Sequence, residues 1–189
     1  KLLLKDPRVD PNDNTHDLYF PPITRAVARG EYHILKHLLK DPRSDPTVEN
    51  NTMMRSAVMD QRLDMVRLLL QHPRTDPLSP GGPESEYLEH NCATAIDIAV
   101  ANKQLSMLQL LLNDPRIDFQ FWSGYAIHRL IMLHDYDTAH ALLKDPRVNV
   151  DQSLFENISR SLYLQKTHLK SEIYSDLLDL LKLKLDASS

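Results

Sequence analysis

Short apolar clusters recur along this chain at helical spacing, and each pair of clusters ends in the same polar turn. Met54, Ala57 and Val58 mark one face of a helix, and Met65, Val66, Leu69 and Leu70 mark the next, the i, i+3, i+4 spacing of an amphipathic helix. A leucine-rich helix end followed by Pro-Arg occurs at Pro7-Arg8, Pro42-Arg43, Pro73-Arg74, Pro115-Arg116 and Pro146-Arg147. The prolines are separated by 35, 31, 42 and 31 residues. A base period of about 31 with two insertions accounts for every step, and such periods mean stacked supersecondary units. Proline lacks an N–H and disfavours helix in the residue before it, so each helix is predicted to end at the Asp or His ahead of it. Pro11, Pro46 and Pro77 are expected to keep the following segment extended. Helices this short are marginal alone, so each unit needs neighbours to cover its apolar faces.

Four copies carry a further pattern with constant spacing. They read Pro22-Ile23-Thr24-Arg25-Ala26 with Gly30, Thr52-Met53-Met54-Arg55-Ser56-Ala57 with Gln61, Thr94-Ala95-Ile96-Asp97-Ile98-Ala99 with Lys103, and Ala126-Ile127-His128-Arg129-Leu130 with His134. Each is followed by a box such as Met65-Val66-Arg67-Leu68-Leu69-Leu70. These residues resemble the ankyrin repeat, with its Thr-Pro-Leu-His box, its linking glycine and its Val-Val-x-Leu-Leu-Leu helix. The resemblance covers roughly residues 1–152. It implies an all-α fold, an ankyrin-like helical-repeat solenoid of stacked helix pairs with projecting turns. The chain departs from the family at the linking glycine, kept only as Gly30, and at the turn, where Asp-Pro-Arg-x-Asp replaces Gly-Ala-Asp. A left-handed linker would strain Gln61, Lys103 and His134. The expected organisation is a partial first unit and four full units over 1–152, with a long loop insertion near 78–90. Residues 153–189 should then supply C-terminal helices, with Ile173, Leu177, Leu180 and Leu181 as an apolar stripe and Asp176 and Asp179 on its polar side. A terminal pair has to cover the end of a stack; the same helix could serve instead as a dimerisation surface.

Charge and composition narrow the function. A net charge of −4 gives no basic footprint for phosphate, so no nucleic-acid partner is expected. No apolar run approaches the roughly 20 residues that span a bilayer, so no membrane partner is expected either. The single cysteine, Cys92, cannot form an internal disulfide, which fits a reducing compartment and an intracellular, cytoplasmic location. The chain opens in mid-motif at Lys1-Leu2-Leu3-Leu4 and reads as a piece of something longer, with any targeting segment or neighbouring domain outside it.

Candidate chemistry is sparse. His90-x-Cys92 lacks a second pair, and His33 and His37 share a helix face without further ligands, whereas structural zinc normally takes four. There is no phosphate loop, nucleophile elbow or metalloprotease helix, so neither catalysis, a metal nor a cofactor is expected. Arg8, Arg43, Arg74, Arg116 and Arg147 form a repeated column with an acidic residue two positions after each of the first four. That column reads as turn-fixing ion pairs, or alternatively as a clamp for an acidic ligand.

The resemblance implies a protein-interaction scaffold or adaptor, binding another protein through its projecting turns and the concave helix face, and monomeric. The alternative is a regulatory or targeting domain of a larger enzyme. Carried onto this chain, the family's binding surface contains Arg25, Ala28 and Arg29, then Ser56, Met59 and Asp60, then Ile98, Ala101 and Asn102, then Arg129, Met132 and Leu133. Four aromatics, Phe119, Phe121, Trp122 and Tyr125, crowd a turn that is polar in the other units. Exposed, they are binding anchors; packed, they cover the stack or the inserted loop. The insertion around Leu78–Tyr87 is expected to project beside them, with Tyr87 and Trp122 as one binding edge.

Overall fold

The structure is a computed structural model that describes residues 6, 8, 10–13, 20–79, 94–165 and 171–188, with 49–51 and 188 by their backbone alone. Among the described residues every regular element is a helix. They fall into two compact units, Lys1–Ile98 and Ala99–Ser189.

The first unit holds α1 (Pro22–Arg29), α2 (Tyr32–Leu38), α3 (Val48–Met59) and α4 (Leu63–Leu70). Helices α1 and α2 pair, α3 and α4 pair, and the pairs stack through α1 on α3 and α2 on α4. The apolar stripes meet in the middle: Ile23, Val27, Leu35, Met53, Met54, Val58 and Met65 are buried. Burial of such side chains stabilises by about 1.5–3 kcal/mol each, which is what holds seven- and eight-residue helices that could not persist singly. Helix α5 (Ala95–Ala101) runs across the division between the units. Its start is fixed by a reciprocal cap, Thr94 donating N–H and Oγ1 to the Asp97 carboxylate while Asp97 N–H returns a bond to Thr94 Oγ1.

The second unit continues with α6 (Leu105–Leu112), α7 (Phe119–Met132), α8 (Tyr136–Leu143), α9 (Gln152–Leu164) and α10 (Ser171–Ser188). Here α7 packs on α8 and α9, α8 on α6 and α10, and α9 on α10. On α10, Leu177 and Leu181 are buried, Ile173 and Leu180 half-buried, and Asp176 and Asp179 exposed. Lys184 ties this helix to the preceding turn, donating to the Asp145 and Val148 carbonyls at 2.7 and 2.9 Å.

The four repeat linkers at 30, 61, 103 and 134 adopt the left-handed conformation, with φ of 74° at Gly30, 57° at Gln61, 56° at Lys103 and 58° at His134. Each closes its helix identically. Gly30 and Glu31 donate to Val27 and Ala26, Gln61 and Arg62 to Val58 and Ala57, and the same pairs recur at 103–104 and 134–135. This double bond satisfies carbonyls that a helix end leaves without partners. The sequence-based expectation of strain is therefore met at three non-glycine residues. A Cβ at Gly30 would also meet Nη1 of Arg62, the far end of a flexible side chain that can move aside.

The turns differ from expectation in three ways. First, the helices stop at Leu38, Leu70, Leu112 and Leu143, two or three residues before the acidic or His position. That residue's N–H instead bonds three residues back, as Asp41 to Leu38 and Asp114 to Leu111 do, so the last turn tightens ahead of the proline. Second, Arg8, Arg43, Arg116 and Arg147 pair with the Asp before the proline, not the one after it. Asp41 accepts from Arg43 N–H and Nε at 3.0 Å each and from Nη2 at 2.7 Å. Asp114 and Asp145 hold Arg116 and Arg147 in the same way. The fixed φ of the intervening proline presents acid and base to each other, and the guanidinium holds each carboxyl below its ordinary range. Third, Pro11, Pro46 and Pro77 lie in turns, because Asp10, Asp45 and Asp76 accept the N–H two residues on. This Asx geometry bends the segment instead of extending it.

His72 breaks the series and shows what the Asp does. With imidazole in place of carboxylate, Arg74 turns to Asp45, one repeat back, at 2.6 Å, while its N–H meets His72 Nδ1 at 3.3 Å. Only neutral imidazole can accept there, and burial first, then Arg74, lowers the His72 pKa from its ordinary 6.5. As pH falls through 6.5 the unfolded chain binds a proton that the folded chain resists, so stability declines until the folded His72 also protonates. His72→Asp should add about 0.5–1 kcal/mol at pH 7 by restoring the fork. Its advantage should widen below pH 6.5 in paired thermal melts. An unchanged difference between the two proteins at pH 7 and pH 5.5 would refute this role.

Candidate functional site

Aspartate 118 decides where the aromatic segment goes. Its side chain accepts the Phe121 N–H at 3.1 Å, the bond of an N-cap. In the first three turns proline follows the equivalent Asp, at Pro11, Pro46 and Pro77, but here Phe119 does. Without a proline there, α7 begins three residues after Arg116 and runs for 14 residues, whereas α3 begins five residues after Arg43 and runs for 12. Phe119, Phe121, Trp122 and Tyr125 thus belong to a helix, which corrects their assignment to a projecting turn. The missing proline behind a capping Asp was the signal in the sequence.

The helix sorts these rings by depth. Phe119 packs beneath Arg147, whose guanidinium carbon lies 4.1 Å from the ring centre; Arg147 also reaches Asn113 at 2.5 Å. Trp122 is half-buried and meets Phe121 and Tyr125 edge-on, each at 5.4 Å. Phe121 stands out at 63% exposure. Phe121, Tyr125, His128 and Met132 follow one another at helical spacing on one face. Tyr125 and His128 are half-buried and Met132 is exposed.

Helix α9 forms the facing wall. Asp151 caps it, accepting Leu154 N–H at 2.7 Å. The two helices approach closely at Gly124, where a Cβ would come within 3.1 Å of Leu154 Cδ1. Gln120 locks the start of α7 to the chain leading into α9, accepting Asn149 N–H at 3.0 Å and donating to its carbonyl. Between the helices lies an open groove of about 520 Å³, lined by Phe121, Tyr125, His128, Asp151, Ser153, Leu154 and Asn157 with Gln120 and Gly124. The His128 side chain makes no hydrogen bond among the described residues.

The remaining expected site residues scatter. Arg25 and Arg29 share α1, with Arg25 half-buried and donating to the Phe20 carbonyl at 3.3 Å. Met59 on α3 is 42% exposed, and Asn102 is exposed just beyond α5. Arg129 and Met132 are exposed on α7. Ile98 is the exception: it is only 7% exposed and belongs to the core, because α5 turns that position inward. Tyr87, the inserted loop from 80 onward, His90 and Cys92 lie outside the described residues. Ser153, Leu154 and Asn157 were missed, since a groove wall from the next helix pair leaves no local motif.

The arginine column offers little to a ligand. Four of its guanidiniums already fork onto their own turn's Asp, and Arg74 bonds Asp45 through Nη2. His37 Nδ1 is engaged with the His33 carbonyl at 2.7 Å. Among the described residues no group of three or more His, Cys, Asp or Glu could hold a metal.

A family model described as ankyrin repeats in three copies matches residues 23–121. Neither the curated proteins nor the solved structures gave a match.

Proposed function

Because this chain belongs to the ankyrin-repeat family, whose repeats are generally protein-interaction modules and typically non-catalytic, we propose that it is a non-enzymatic adaptor. It holds a partner protein against the first-helix faces, with the α7–α9 groove as the main contact. One observation carries this reading: a phenylalanine 63% exposed at the lip of a groove, backed by half-buried Trp122 and Tyr125. An aromatic held rigid by its neighbours loses little entropy when a partner covers it, which is why such residues dominate interfaces. Arg129 and Met132 extend the contact along α7; Asn102 in the same unit, and Arg25, Arg29 and Met59 in the first unit, are separate candidates.

In this reading α9 and α10 close the C-terminal end of the repeats over residues 153–189, and the protein acts as a monomer. Nucleic acid and membranes are not its partners. The net charge of −4 supports the first exclusion, and the second is supported by the finding that no described helix is long and apolar enough to cross a bilayer. The lone cysteine supports an intracellular site of action. With a partner obtained by affinity capture, Phe121→Ala and Met132→Ala together should weaken binding by at least about tenfold, the scale of a hot spot. Tyr163→Ala, on an equally exposed aromatic of α9, should leave it unchanged. Retained affinity in the folded double variant would dismiss the groove.

A further inference from the structure

We propose that the α7–α9 groove receives a cationic side chain, an arginine, of the partner protein; this rests on the partner-binding reading above. Charge complementarity selects the occupant. Among the described residues Asp151 is the one carboxylate in the lining, and no lysine or arginine lines the groove with it. The α9 N-terminus behind Asp151 contributes roughly half a positive charge, which leaves the end of the groove negative. An anionic group would meet net repulsion there, and a purely apolar one would strip water from the carboxylate without replacing it.

The acceptors and rings suit a guanidinium. Asp151 uses one oxygen for the Leu154 N–H, and its other oxygen has no bonding partner among the described residues. The Ser153 and Asn157 side chains are likewise free of hydrogen bonds there. Three acceptors on one helix end match the five fixed donors of an arginine. Opposite them, Phe121 and Tyr125 present ring surface on which a planar cation stacks. A lysine ammonium would satisfy the charge but not the planar stacking.

Two peptides test this on the full chain, acetyl-Gly-Arg-Gly-amide and its citrulline counterpart, which keeps the shape and loses the charge. Trp122, the single tryptophan, reports the site through its fluorescence, and amide chemical shifts confirm the location. The arginine peptide should bind at least about fivefold more tightly than the citrulline one. Asp151→Asn should remove about that same factor while keeping the cap, since Asn caps helices as well as Asp. Phe121→Ala should weaken the arginine peptide similarly, and added salt should weaken it further. Equal binding of the two peptides, no binding of the arginine peptide at the groove, or an unaltered affinity in Asp151→Asn would overturn the assignment. If those results coincide with loss of partner binding in the Phe121→Ala/Met132→Ala double variant, the groove remains the partner site and only its preference for a cation falls. If that double variant also keeps its partner, the adaptor surface itself is misplaced.

Discussion

Replacing Gln61, Lys103 and His134 together with glycine raises the stability of this protein by about 2 kcal/mol. Each residue sits at a φ between 56° and 58°, where an L side chain costs roughly 1–2 kcal/mol. Glycine removes that cost but gives back about 0.5–1 kcal/mol through the greater freedom of its unfolded chain. The net gain is then roughly 0.5–1 kcal/mol per site, and sites this far apart in sequence with no common hydrogen-bond partner should add. His134 should contribute least, because its ring bonds the Tyr136 hydroxyl at 2.7 Å and that bond is lost. For a chain of this length the sum raises Tm by roughly 4–8 °C. Thermal and urea melts of the three single variants and the triple one decide the matter; a triple variant no more stable than the parent would show the linkers unstrained.

The reverse substitution should cost more. Gly30→Val places a β-branched residue at a φ of 74°, a conformation such side chains scarcely adopt. It also drives a Cβ into the Arg62 guanidinium. The expected loss is about 2–3 kcal/mol. The two causes separate readily, because Arg62 is a flexible side chain that can swing away. Adding Arg62→Ala to Gly30→Val should recover only a small part of the loss. Full recovery would mean that the contact, and not the backbone, keeps glycine at this linker.

The repeat period and both helices of each pair were legible because they depend on apolar spacing, a local property that Met54, Ala57, Val58 and Leu69 carry directly. The strained linkers were legible for a similar reason, since one kept glycine marks the conformation its three counterparts must share. Partner choice within the turns was not. Asp41 and Asp45 are equally close to Arg43 in sequence, and only the proline's fixed geometry selects the first. Ile98 shows another limit: on a seven-residue helix a small rotation separates a core position from a surface one. The groove was the least accessible, because Phe121 and Asn157 meet only when two consecutive helix pairs stack. Half of it was nevertheless visible as a run of aromatics, misplaced by reading the segment after Pro115-Arg116 as a turn like those of the other units.

The adaptor reading stands or falls on which face touches a partner. A photo-reactive benzoylphenylalanine at Phe121, compared with one at the exposed Asp137 on α8, reads this out in the native cell. The expected result is one dominant protein adduct from position 121, abolished when Tyr125→Ala is added, and none from position 137. An adduct from 137 with none from 121 would put the binding surface on the opposite helices and contradict the groove.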